Sequence, residues 1–379
     1  MLMKVFIGFK KRIFLILITC FAFNFLNVNA VTAGRRKRRR DLDSTQTVSN
    51  QKFSKTVSRY IFDGEIDSDQ EFFIWECEPN FNFTELILSW NAMRPESGKM
   101  TFWVNVKHSS WAGWQRLAEW GASSQRTFVN KLNRYVHTTH SKVELKKGQL
   151  GTAFKVKVVF QKGANPKNLK ALFACLSNVK KFKGDSYVSN LPSVIVSGVP
   201  RQSQMVLNHP RYRDLCSPTS TGIIVNYFNK KLYGDCSHDL NSYMVDFADK
   251  VYDNGYLNIY GNWPLNVAAA HDATYGNVFF RVERLNFFDD LYKYLSKKIP
   301  VAVSVRKLRG GATSYTNGHL MVVVGWNKEK QCVLCIDPAF PRNSTTPKAY
   351  RLRSFLRAWG RSLHLSYVPI PREQFSELA

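Results

Sequence analysis

Between Phe62 and Leu176 apolar residues recur at every second position. Phe154, Val156, Val158 and Phe160 share one side of their run, with Lys155 and Lys157 on the other. Leu86, Leu88 and Trp90 form a similar side, as do Phe102, Val104 and Val106. A repeat of two belongs to the extended chain, and polar turns between such runs predict antiparallel neighbours. Residues 61–180 therefore read as an antiparallel β-sandwich. A connector containing Gly184, Pro192 and Gly198 follows. Beyond it the pattern changes. Helices are predicted over 218–229, 239–253, 287–296 and 351–359, with a loop between the second and third, and strands over 301–306, 319–326 and 331–337. Helices first and an antiparallel sheet later make an α+β arrangement, placed at residues 195–379. A chain of 379 residues, 44% of them apolar, accommodates two such domains.

The first sixty residues are different. Lys4, Lys10, Lys11 and Arg12 precede an apolar stretch from Ile13 to Phe23, and Val28-Asn29-Ala30 supplies a small-x-Ala cleavage site. Residues 1–30 read as an export signal or, extended through Leu26, as an uncleaved anchor. The expected location is secreted, periplasmic or at the cell envelope, with membrane attachment only through residues 13–26. Residues 31–60 read as a basic and polar linker. Its block from Arg35 to Arg40 fits a juxtamembrane segment, a polyanion-binding arm or a processing site. Residues 1–40 contain ten Lys/Arg and no acid, within a net charge of +26 for the whole chain. That balance favours anionic partners such as envelope polymers. The interleaved pattern of a nucleic-acid platform is absent from the body, and no nucleic acid is expected. Six tryptophans, at 75, 90, 103, 111, 114 and 120, suit either core packing or a sugar platform.

Cysteine usage is modest. Cys77 and Cys175 are either a disulfide or two buried thiols. Cys332 and Cys335 lie three apart in an apolar strand, hence on opposite faces, which favours core packing over a metal site. No metal or cofactor is expected. Candidate chemistry lies elsewhere. Cys216-Ser217-Pro218 opens a helix, where the positive end of the helix dipole favours thiolate, with Ser217 as a suitable N-cap. Gly318-His319 begins a buried strand, and Ile336-Asp337-Pro338 ends the next. If the connecting turn is centred on Lys328, His319 faces Asp337 directly; a four-residue loop makes them diagonal neighbours. Either register lets the acid hold the ring while the ring deprotonates the thiol. Weaker candidates are His271-Asp272, in a loop over 262–277 that rims the cleft, and Cys236-Ser237-His238-Asp239, which opens a helix. Asn82 and Asn343 fit the glycosylation pattern.

Val199-Pro200 with Gln204, Cys216-Ser217-Pro218-Thr219-Ser220, Gly318-His319 and Ile336-Asp337-Pro338 together resemble the papain-like cysteine peptidases related to those that remove double-glycine leaders from bacteriocins. The resemblance covers about residues 195–370. Ser89-Trp90-Asn91-Ala92 resembles the β-sandwich that accompanies this peptidase type. The resemblance implies Cys216 as nucleophile, His319 as general base, Asp337 as orienting acid and Gln204 as an oxyanion donor, with Gln202 as its rival. It implies an α+β papain-like cysteine peptidase domain preceded by an antiparallel β-sandwich, acting on a peptide or protein substrate. The alternative is an inactive protein that binds envelope glycans through the tryptophan-rich sandwich. Ser217 stands where the family commonly has glycine. Leader processing does not carry over, because no multi-span region and no nucleotide-binding loop accompany the motifs.

Overall fold

The alternating runs of the first half assemble into two five-stranded antiparallel sheets. The computed structural model describes residues 57–378 other than 65, 68, 141, 184–188 and 235–238, with a short ladder between Gly8–Phe9 and Arg12–Ile13 ahead of them. Apart from that ladder, the export or anchor segment lies outside the described residues, as do the basic block and Cys236 to His238. Strands β1 (Val57–Phe62), β2 (Phe72–Cys77), β3 (Glu85–Ala92), β4 (Lys99–Lys107) and β5 (Gln115–Gly121) are followed by β6 (Gln125–Thr127), β7 (Val136–Thr139), β8 (Lys142–Leu145), β9 (Ala153–Gln161) and β10 (Leu169–Ser177). One sheet has the order β1-β10-β3-β8-β7, the other β2-β9-β4-β5-β6. The expected linker thus ends earlier than residue 60, because Val57–Phe62 pairs along β10.

The sheets meet through aromatic rings. Phe62 lies 4.4 Å from Phe73, and Trp90 stacks on Phe102 at 4.1 Å. Trp75, Trp90 and Trp120 are buried, whereas Trp103, Trp111 and Trp114 stand partly exposed. Cys77 and Cys175 are buried reduced thiols.

The second half is one seven-stranded antiparallel sheet with helices against it. Its strands are β11 (Val194–Ile195), β12 (Val278–Arg284), β13 (Val301–Val305), β14 (His319–Asn327), β15 (Cys332–Ile336), β16 (Pro347–Arg351) and β17 (Leu365–Pro371). The order is β12-β17-β13-β14-β15-β16, with β11 on β14. The helices are α1 (Cys216–Tyr233), α2 (Leu240–Val251), α3 (Trp263–Ala273), α4 (Phe288–Ser296), α5 (Leu352–Gly360) and α6 (Phe375–Leu378). The loop expected between residues 253 and 287 is in fact α3 and β12. Both are buried along most of their length, and a helix apolar on every side has no 3.6-residue stripe to reveal it.

The two halves are joined along β3. Leu86, Leu88 and Trp90 face the companion sheet, and the alternate positions Glu85, Ser89 and Asn91, though polar, are buried against β12. Asn91 acts as a strand edge: its Oδ1 accepts from Phe280 N at 2.7 Å and its Nδ2 donates to Phe280 O at 2.5 Å. Ser89 Oγ accepts from Val282 N at 3.1 Å. Glu85 forms a bidentate pair with Arg284 at 2.6 and 3.1 Å, both groups buried. The open edge of β12 is therefore closed by side chains of the N-terminal sheet rather than by another strand.

Candidate active site

Helix α1 begins at Cys216 itself, with Leu215 as its cap and no side-chain capping bond. This corrects the expectation for Ser217. That serine lies inside the first turn, buried, with its Oγ 3.0 Å from the Tyr367 hydroxyl. Ser220 Oγ donates to Leu320 O at 3.0 Å. These two bonds pin the first turn to β17 and β14. Gly222 lets α2 approach closely, since a Cβ there would lie 2.5 Å from Met244 Sδ. Cys216 thus sits, partly exposed, at the positive end of an 18-residue helix and beside the start of β14.

His319 is the first residue of β14. Gly318 before it has φ +100°, a left-handed turn that favours glycine. Asp337 follows the last residue of β15, fully buried. The ladder pairs Val322 with Ile336 and Val323 with Cys335, then skips Val324 to pair Gly325 with Leu334. Asp337 therefore falls opposite Met321, and His319 is its diagonal neighbour rather than its direct partner. The bulge decides the outcome. Near the turn, Asn327 pairs with Cys332. Continued without interruption, that register would put Asp337 and His319 on opposite faces of the sheet. The extra residue at Val324 shifts the pairing by one and brings them onto the same face.

His319 Nε2 lies 2.7 Å from Asp337 Oδ1, so Nδ1 is the nitrogen left to the thiol. Asp337 Oδ1 also accepts from Ala339 N at 3.1 Å, and its Oδ2 accepts from the Tyr315 and Tyr350 hydroxyls at 2.9 and 2.6 Å. The Tyr315 ring stacks on His319 with centroids 4.0 Å apart. Burial disfavours the charged carboxylate, but His319 and the two hydroxyls outweigh it and hold the Asp337 pKa below its usual value. Burial likewise disfavours imidazolium, yet the Asp337 charge, its hydrogen bond and the Cys216 sulfur raise His319 to about 10. Cys216 completes the set. Burial raises its pKa, and the hydrogen bond and charge of His319, aided by the backbone of Leu320 and Ser217, bring it below its ordinary value. The lowered thiol and the raised imidazole both favour the thiolate–imidazolium pair.

Gln204 and Gln202 separate clearly. Gln204 Nε2 donates to Tyr212 O and Arg213 O at 3.0 and 2.8 Å, on the turn leading into Cys216. Gln202 Nε2 instead donates to Asn241 Oδ1 at 2.8 Å, on α2. The Oε1 of Gln204 is buried with no hydrogen-bond partner among the described residues. Of the weaker candidates, His271 is fully buried within α3, its Nδ1 2.9 Å from Val278 O, and does not rim a cleft. Asp272 accepts from Arg94 N at 2.9 Å and so joins the two halves. Asp239 caps α2 by accepting from Asn241 N and Ser242 N. Tyr315, Tyr350 and the bulge at Val324 had no signal in the sequence. Tyr315 lies in a Gly/Ser/Thr loop, and Tyr350 belongs to a strand that the hydropathy pattern does not show.

A family model described as the Peptidase_C39 like family matches residues 196–367, somewhat less than half of the chain. The match supports a C39-like peptidase domain over this region, and with it a cysteine peptidase-like function and a peptide or protein substrate. It includes Cys216, His319, Asp337 and Gln204. A search of curated proteins found no match.

Proposed function

We propose that the chain is an exported thiol hydrolase that cleaves peptide bonds through an acyl-enzyme. In this reading residues 61–180 are an accessory β-sandwich and residues 195–379 the papain-like catalytic domain. Export rests on the character of residues 1–30. Cys216 is the nucleophile, His319 the acid–base group and Asp337 the residue that orients it. The observation that carries the proposal is the chain of contacts from a helix-start thiol through His319 to a buried carboxylate held by two tyrosine hydroxyls.

The thiolate forms a C–S bond with the substrate carbonyl, whose π electrons move to oxygen. That oxyanion lies near the backbone N–H of Cys216. When the intermediate collapses, the C–N bond breaks and the leaving amine takes the proton from His319. His319, now neutral, removes a proton from water, which attacks the thioester carbonyl; the C–S bond then breaks, releasing the carboxyl product and restoring thiolate and imidazolium. Gln204 joins the oxyanion site by turning its Nε2 from the Tyr212 and Arg213 carbonyls toward the developing charge.

The test pairs a peptide-library digest with thiol labelling. Wild type should cleave and Cys216→Ala should not, and Cys216 should react with iodoacetamide at lower pH than a thiol in the unfolded chain. Equal cleavage by both proteins, or labelling no faster than in the unfolded chain, overturns the proposal. One observation favours a second reading, an inactive binding protein: the Gln204 amide is already engaged by two carbonyls. That reading expects Cys216→Ala to keep full biological activity.

A further inference from the structure

The three sandwich tryptophans outside the core, Trp103, Trp111 and Trp114, form an ordered surface. On the outer face of the sheet β2-β9-β4-β5-β6, cations and rings alternate. Lys157 Nζ lies 4.8 Å from the Trp114 ring and 5.5 Å from that of Trp103. The Arg116 guanidinium carbon lies 5.7 Å from Trp103 and 4.1 Å from Phe128. Lys155 Nζ sits 4.4 Å from Trp111. Strand register sets the rows: Trp103 is paired with Lys157 on one side and Arg116 on the other, and Asn105 with Lys155.

Most of these cations are already matched. Glu119 receives Lys99, Arg116 and Arg126, and Glu76 receives Lys155 at 3.2 Å. Lys157 and Lys107 have no carboxylate partner among the described residues. Partial burial against the rings holds the Lys157 pKa below its usual value, as expected for an ammonium that has lost water without gaining a counter-charge. Two residues along from Trp103, buried Asn105 Oδ1 has no hydrogen-bond partner among the described residues.

We infer that this face is a binding platform for a carboxylated polysaccharide, with Lys157 taking a carboxylate and Trp103 and Trp114 the apolar face of the sugar ring. Indole surface suits the C–H face of a pyranose, and a cation between two indoles faces an anion in reduced dielectric. The charge count selects the polymer. A nucleic acid presents a phosphate at every residue and is bound by many unmatched cations. Two unmatched lysines beside three indoles are too few for that and fit instead a sugar carboxylate on a pyranose whose C–H face meets the rings. The opposite sheet docks on the peptidase region through Ser89 and Asn91, and the edge strand β6 of the platform sheet also reaches it, Thr127 N donating to Asp253 at 2.9 Å and Gln125 Nε2 to Tyr252 O at 2.7 Å. The platform would tether the protein to an acidic matrix, and it does not depend on the hydrolase reading.

The test is affinity electrophoresis of the full chain in gels carrying polygalacturonate, neutral dextran or single-stranded DNA. It is run both on wild type and on a chain with residues 35–40 changed to glutamine, which removes the charge of the N-terminal basic block. The glutamine-block chain should be retarded by polygalacturonate and not by dextran. Lys157→Gln and Trp114→Ala should each weaken that retardation about tenfold, with the circular dichroism spectrum and Cys216 labelling unchanged. Absence of retardation, tighter binding to DNA than to polygalacturonate, or full retardation of Lys157→Gln overturns the inference. Lys157→Gln, a surface change, keeps the test decisive should Trp114→Ala disturb the fold.

Discussion

Replacing Asp337 with asparagine should disarm Cys216 without touching it. In the folded protein His319 is raised to about 10. At pH 7, three units lower, only about one ring in a thousand is neutral. Asparagine keeps much of the shape and removes the charge. Burial, the largest influence on the ring, is then opposed only by the Cys216 sulfur, and the His319 pKa falls from its raised value. At pH 7 the ring becomes mostly neutral, and Cys216 loses the cation that offsets its own burial. Its pKa rises past the ordinary 9.0. A thiol of pKa 9 is about 1% ionised at pH 7, so alkylation should slow on the order of 10- to 100-fold. The assay is iodoacetamide labelling followed by mass spectrometry of the Cys216 peptide from pH 4 to pH 10. His319→Ala should give the same displaced profile, because both changes act through the ring. An Asp337→Asn protein with native circular dichroism and an unmoved labelling midpoint would refute the argument.

The same groups predict the pH dependence of stability. The raised His319 stabilises the fold fully below 6.5, and that contribution is lost as pH rises through about 10. The lowered Asp337 and Glu85 contribute above their ordinary 3.8 and 4.5, and their share is lost as pH falls further. Thermal melts should therefore give a plateau between these limits, and Asp337→Asn should lose the alkaline decline. Asn91→Ala leaves the buried N–H and C=O of Phe280 without partners, and urea unfolding should show a loss of roughly 2–5 kcal/mol. Glu85→Leu strands the buried Arg284 charge and should cost about 3–5 kcal/mol, most of it recovered when Arg284→Met is added. Gly325→Ala places a Cβ 2.5 Å from Val194 O and should destabilise by about 1–3 kcal/mol, read in the same titration.

Much of this protein was legible along the chain. Strand alternation identified the runs containing Leu86 to Trp90 and Phe154 to Phe160, because their inner faces are apolar and their period is local. Cys216, His319 and Asp337 could be read because each marks the end of an element. The reading stopped where both faces of an element are covered. Helix α3 and strand β12 were mistaken for a loop, and of the six sandwich tryptophans three proved to be core while three stand partly outside.

Local periodicity and terminal residues are properties of a few neighbours, so the order of chemical groups and most strand identities were written in the sequence itself. Whether His319 and Asp337 share a face depended on one unpaired residue, Val324, in a ladder joining distant registers. The tyrosine hydroxyls on Asp337 and the polar edge of β3 closing β12 also required segments tens to hundreds of residues apart to meet. Such partners carry no local pattern, because burial among non-neighbours, and not spacing along the chain, is what makes them bond.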